Sequence, residues 1–116
     1  MNAPVCHRGE VWLANFNPGR GSEQKGTRPA LIVQNDIGNQ YASTAIVAAI
    51  TRTLKKYPVT VLLDRHEGGL KELSMVNLAQ VLTLEKGRLV KKLGNITAEK
   101  LHEVDEAIEI SLGLRL

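Results

Sequence analysis

Thr44 to Thr51 reads Thr-Ala-Ile-Val-Ala-Ala-Ile-Thr, eight residues with no charge, glycine or proline. A short apolar run rich in β-branched residues fits a strand buried inside a sheet. This segment therefore predicts a central strand, and the rest of the chain must flank it. Glu10 to Phe16 alternates loosely around Val11, Trp12 and Phe16 and predicts a strand. Pro18, Gly19 and Gly21 break the pattern, and the loop they open runs to Arg28. Pro29 to Gln34 is a short apolar run that predicts a buried strand starting at the proline. Residues 35 to 43 are polar and predict a second loop. Residues 53 to 57 predict a basic turn, Val59 to Leu63 a strand, and His66 to Glu72, with Gly68-Gly69, a turn or mobile loop. Ser74 to Leu84 predicts a long strand bent in its middle, whereas Lys86 to Lys92 carries no clear pattern. Near the C-terminus, Thr97 is a helix cap. Leu101, Val104, Ile108 and Leu112 follow at helical spacing, and Gly113 is a stop.

About five strands, short connections and one terminal helix predict a mainly β fold: a small, strongly bent SH3-like sheet or barrel with a C-terminal helix. At 116 residues the chain fits a single domain, residues 1–116. Trp12, Phe16, Tyr41 and Tyr57 are its only aromatics, so Val, Ile, Leu and Ala must build the core. No broad aromatic platform is available to stack nucleobases. Cys6 has no partner for a disulfide, the first eight residues do not resemble a signal peptide, and no apolar run is long enough to span a bilayer. These features predict a soluble cytoplasmic protein with no membrane association.

The net charge of +3 conceals an asymmetry. Residues 1 to 92 carry 13 lysines and arginines against seven acids, whereas residues 93 to 116 carry two against five. A basic body beside an acidic helix suits a polyanion on one face, although a solvated surface of mixed charge would look the same. Metal-ligand spacings are missing: Cys6-His7 has no second pair, and His66 and His102 stand alone. There is no phosphate-binding glycine loop and no nucleophile elbow. No metal and no cofactor are expected.

Functional groups concentrate in two places. Ser22, Glu23, Gln24, Lys25 and Arg28 follow one another within seven residues, around Gly26. Pro29 biases Arg28 toward an extended backbone, and its planar fork can grip a phosphate through two hydrogen bonds. It could equally pair with a carboxylate at the strand end. Thr51 closes the apolar strand, with Arg52, Thr53, Lys55 and Lys56 after it. Its hydroxyl could donate to a phosphate oxygen, or Thr51 could be an ordinary strand residue. RNA would make the combination productive, because its own 2′-hydroxyl can serve as nucleophile. The protein then has only to accept a proton, stabilise the phosphorane and assist the leaving oxygen. Arg28 and Thr51 fit charge stabilisation, and Glu23 is the candidate proton acceptor.

These residues also resemble a known family. Arg8-Gly9-Glu10-Val11-Trp12, Gly21-Ser22-Glu23-Gln24 with Arg28-Pro29, Gln34-Asn35-Asp36 and Ala48-Ala49-Ile50-Thr51 are similar to the MazF/PemK toxins of bacterial toxin–antitoxin systems. The likeness runs from about Arg8 to Leu112, and Gln80 matches a further glutamine of the family. It implies an SH3-like barrel, a homodimer, and sequence-specific, ribosome-independent, metal-independent cleavage of single-stranded RNA. It further implies 2′,3′-cyclic phosphate and 5′-hydroxyl ends, and a cognate antitoxin that blocks the RNA groove. DNA binding by the toxin itself is not expected. In the branch most resembled, Arg28 and Thr51 are catalytic. Ser22, Gln24, Lys25, Arg52, Thr53, Lys56 and Gln80 are the candidate RNA contacts. Asn77 and Ala79 stand where another branch carries an arginine and an aspartate, and Leu82 stands where many members have an arginine. Both departures place more of the work on Arg28, Thr51 and the Ser22–Gln24 segment. Two alternatives are a CcdB-like gyrase poison and a non-enzymatic RNA-binding module. The former is disfavoured because the chain ends Gly113-Leu114-Arg115-Leu116 without the tryptophan motif of those toxins.

Overall fold

A computed structural model describes residues 4–17 and 26–115 of the chain. Its strands are β1 (Glu10–Asn15), β2 (Thr27–Ile32), β3 (Thr44–Thr51), β4 (Thr60–Leu63), β5 (Ser74–Glu85) and β6 (Leu89–Asn95). Two helices, α1 (Asp36–Tyr41) and α2 (Ala98–Ser111), accompany them. The strands form one antiparallel sheet in the order β4-β5-β3-β2-β1-β6. As its composition predicts, β3 lies in the interior of the sheet, with Val47, Ala48, Ala49 and Ile50 all buried.

Successive side chains on a strand point to opposite faces, so the sheet carries two cores. Val11, Leu31, Ala48 and Val76 fill one, which Val104 and Ala107 of α2 cover. Trp12, Ile32, Val47 and Leu89 fill the other, joined by Cys6 and Phe16. Thr97 caps α2 by accepting a hydrogen bond from Lys100 N at 3.1 Å, and Gly113 ends the turn beyond it with φ +73°. Leu112, predicted on the packed face of the helix, is 62% exposed; the buried stripe ends before it.

β5 bends where the sequence suggests. Ala48 pairs with Val81 but Ala49 pairs with Asn77, so Leu78, Ala79 and Gln80 bulge out of the β3 ladder. The bulge satisfies its own backbone. Asn77 Oδ1 accepts from Ala79 N, Leu78 N donates to Val59 O, and Ser111 Oγ on α2 donates to Leu78 O at 2.7 Å.

Two expectations are corrected and two open ones are resolved. The stretch 35–43 is a helix with a cap, not a loop: Asn35 Oδ1 accepts from Gly38 N at 2.8 Å. Six residues are too few to show a helical apolar period. β2 begins at Thr27 rather than Pro29, which puts Arg28 inside the strand, opposite Ala14 of β1. Residues 89–95, within and beyond the unassigned basic stretch, form an edge strand whose exposed Val90, Lys91 and Lys92 conceal its pattern. Such charges blunt a sheet edge. Finally, of the turn and the mobile loop that the glycine pair allows, the structure shows the turn. Glu67–Gly69 forms a 3₁₀ turn that packs against β6 and β1 and so bridges the connection after β4 to the far edge of the sheet. No helix among the described residues is long and apolar enough to cross a membrane.

Candidate active site

β2 and β3 pair Leu31 with Ala48 and Ala30 with Ala49. Continuing that register by two residues sets Arg28 across from Thr51. Both line one cavity of about 200 Å³, together with Pro29, Arg52, Glu72 and Ser74. Antiparallel pairing, rather than closeness in sequence, thus unites the arginine with the threonine. Thr51 is half-buried and anchored to Met75 of β5 in the sheet. Its Oγ1 accepts from Thr53 N at 3.1 Å, which fixes the side chain and leaves the hydroxyl proton to donate. Arg28 is exposed and lines the cavity.

The rim of this cavity contains a carboxylate that sequence reasoning missed. Glu72 Oε2 accepts from Arg52 Nη1 at 2.7 Å. The Arg52 hydrogen bond and charge lower the pKa of Glu72, and the Glu72 hydrogen bond raises that of Arg52. Arg52 therefore presents a partly neutralised charge. Glu72 and Ser74 reach the site through the packed 3₁₀ turn, a long-range closure that leaves no local signal in sequence.

Beyond Thr51 lies a second cavity of about 180 Å³, lined by Thr53, Lys55, Tyr57, Asn77 and Gln80. The β5 bulge delivers Gln80 there, while Asn77 uses its side-chain oxygen to hold the bulge. Thr60 pins the turn that carries the two lysines and Tyr57. Its hydroxyl makes contacts of 3.2 Å to Lys55 O and 2.9 Å to Tyr57 O, and accepts from Tyr57 N at 3.2 Å. Lys56 faces neither of these cavities and lines a third, beside α2.

Of the predicted site residues, the structure brings Arg28, Thr51 and Arg52 into one cavity and Thr51, Thr53 and Gln80 into the next. Ser22, Glu23, Gln24 and Lys25 lie outside the described residues. Tyr57, Thr60, Lys71, Glu72 and Ser74 complete the walls without having been singled out.

The sequence model of the PemK-like, MazF-like toxins of type II toxin–antitoxin systems matches residues 7–112. The chain belongs to this toxin family. Among its relatives, an endoribonuclease MazF of Staphylococcus saprophyticus is 47% identical over 112 residues, covering 95% of this chain and 93% of that protein. The endoribonuclease EndoA of Bacillus subtilis is 44% identical over 112 residues, covering 95% and 97%. A mycobacterial endoribonuclease solved in complex with its cognate antitoxin superposes with a TM-score of 0.81 at 25% identity, covering 96% of this chain and 98% of that one. The bent antiparallel sheet with a C-terminal helix is thus the fold of these toxins.

Proposed function

We propose that this MazF/PemK-family chain is an endoribonuclease toxin that cuts single-stranded RNA at specific sequences, without a metal ion or the ribosome. The reading rests on one observation above all: Arg28 and Thr51 share a cavity in a protein nearly half identical to named endoribonucleases over almost its full length.

In this mechanism the 2′-hydroxyl of the nucleotide before the cut attacks the adjacent phosphorus. Its proton passes to a base, for which Glu23 is the candidate. Negative charge accumulates on the equatorial phosphorane oxygens, where the Arg28 fork and the Thr51 hydroxyl donate hydrogen bonds. The P–O5′ bond then breaks, and the departing oxygen takes up a proton. The products are a 2′,3′-cyclic phosphate and a 5′-hydroxyl. A guanidinium offers hydrogen-bond donors and no acceptor, so Arg28 stabilises charge. Arg52, Thr53, Lys55 and Gln80 along the adjoining walls contact the strand, with Ser22, Gln24 and Lys25 as further contacts.

The protein acts in the cytoplasm as a homodimer neutralised by a cognate antitoxin. Exposed Ile37 and Tyr41 on α1, and Ile46 on the strand that α1 packs against, support a partner copy. The antitoxin complex of the mycobacterial relative supports the second. The test is incubation of a long natural RNA with purified protein in EDTA. The wild-type protein gives discrete new ends, mapped by primer extension, and Arg28→Ala abolishes them. Full cutting by Arg28→Ala would remove Arg28 from the mechanism. Binding without new ends would favour a non-enzymatic RNA-binding module, and inhibition of gyrase supercoiling would favour a gyrase poison.

A further inference from the structure

The groove does not stop at the two cavities flanking Thr51. A third, of about 440 Å³, adjoins the second and shares Tyr57, Thr60 and Met75 with it. Lys56 and Lys100 stand on its walls, and Glu103 beside them. Recessed space therefore continues from Arg28, past Thr51 and Tyr57, to the first turn of α2.

Lys100 is out of keeping with its element. Between residues 98 and 111 it is the only lysine or arginine, against Glu99, Glu103, Asp105, Glu106 and Glu109. It also occupies the third position of the helix, where the positive end of the helix dipole disfavours a cation. A residue that breaks a local rule at the rim of a cavity marks a functional demand. Its neighbours are arranged to match. Glu103 holds the ammonium in a 3.6 Å ion pair, and the Lys100 side chain is only 20% exposed. Thr60 presets the turn that presents Lys56 and half-exposed Tyr57.

Resting on the reading of this chain as a ribonuclease, we infer that the third cavity is an RNA subsite remote from the cut. There Lys100 and Lys56 hold a backbone phosphate and Tyr57 stacks on a base. The strand thus runs beyond Thr51 and Tyr57 to the start of α2. An exposed aromatic beside paired lysines is the arrangement that single-stranded nucleic acid requires. Glu103 positions Lys100 through their ion pair and yields it to the phosphate. The acidic remainder of α2 keeps the strand from spreading further over the helix.

The experiment uses full-length protein and RNA oligonucleotides carrying the mapped cleavage motif, blocked by a 2′-deoxy nucleotide at the cut. A short oligonucleotide covers the motif alone, and two others extend it by about six nucleotides on the 5′ or the 3′ side. One extension should tighten wild-type binding by roughly three- to tenfold, and Lys100→Ala should abolish that gain while leaving the short oligonucleotide unaffected. The slope of log Kd against log salt for the long oligonucleotide should fall by about 0.7 in the variant, the loss of one phosphate contact. Lys100→Arg should keep the gain and Glu103→Gln should increase it. The inference is overturned if neither extension helps, or if Lys100→Ala weakens short and long oligonucleotides equally or not at all. Failure of the wild-type protein to cut the all-ribose oligonucleotide would overturn the ribonuclease reading itself, and this subsite with it.

Discussion

Gly69 offers a direct check on how the sheet is closed. Its φ is +75°, and a Cβ there would lie 2.0 Å from the carbonyl oxygen of Leu93 and 2.5 Å from its carbon. Gly113 has nearly the same φ, +73°, but a Cβ there meets nothing within 4 Å. The left-handed backbone alone costs an alanine about 1–2 kcal/mol, which sets the expectation for Gly113→Ala. Gly69→Ala adds an overlap with main chain that no rotamer change relieves. The turn must back away from β6, an overpacking penalty of about 1–3 kcal/mol. The expected total is about 2–5 kcal/mol, or a fall in Tm of roughly 8–20 °C for a domain of this size. Thermal unfolding followed by circular dichroism, with both variants at equal protein concentration, reads the difference. Because Leu70 and Glu72 follow the turn, Gly69→Ala should also lose RNA cleavage well below its own Tm, and Gly113→Ala should not. Equal stability in the two variants would refute the claim that this turn is clamped against β6.

Glu10 is buried, and its carboxylate accepts from Trp12 Nε1 at 2.9 Å and His7 N at 2.8 Å, with Lys92 Nζ at 3.1 Å. Burial pushes its pKa up, but these hydrogen bonds outweigh that and leave it lowered. The folded pKa lies below the unfolded one, so the stabilisation is complete above the ordinary glutamate range and is lost as pH falls below it through the lowered folded pKa. Glu10→Gln should cost about 2 kcal/mol at neutral pH and flatten the acid limb of a stability–pH curve measured in urea; an unchanged limb would exclude Glu10 as its source. At the rim of the site, Glu72→Ala frees Arg52 from its carboxylate. It should lower KM for RNA several-fold and steepen its salt dependence; a raised KM would show that the pair holds Arg52 in the binding geometry.

Sequence made the central strand, the bent strand and the terminal helix legible, because each is long enough for burial to impose a period on it. Residues 35–43 were misread because a one-and-a-half-turn helix depends on its Asn35 cap rather than on a period. β6 was missed because exposed residues at Val90, Lys91 and Lys92 interrupt the apolar pattern. For the site, residue chemistry singled out Arg28 and Thr51 but left each with an equal or better structural explanation. What joins them is the β2–β3 register, which single-sequence reading does not supply. Glu72 and Ser74 were invisible for a related reason: they arrive through a turn whose position depends on Gly68 and Gly69 fitting closely against β1 and β6.

The central claim is that Arg28 and Thr51 act on one phosphorane as a unit. Single-turnover rates on a defined oligonucleotide, for wild type, Arg28→Ala, Thr51→Ala and the double variant, test it directly. Each single variant should lose at least about 10²-fold in rate, and the double variant should be little slower than the worse single variant. Losses that multiply fully, or a Thr51→Ala variant that cuts at the wild-type rate, would contradict it.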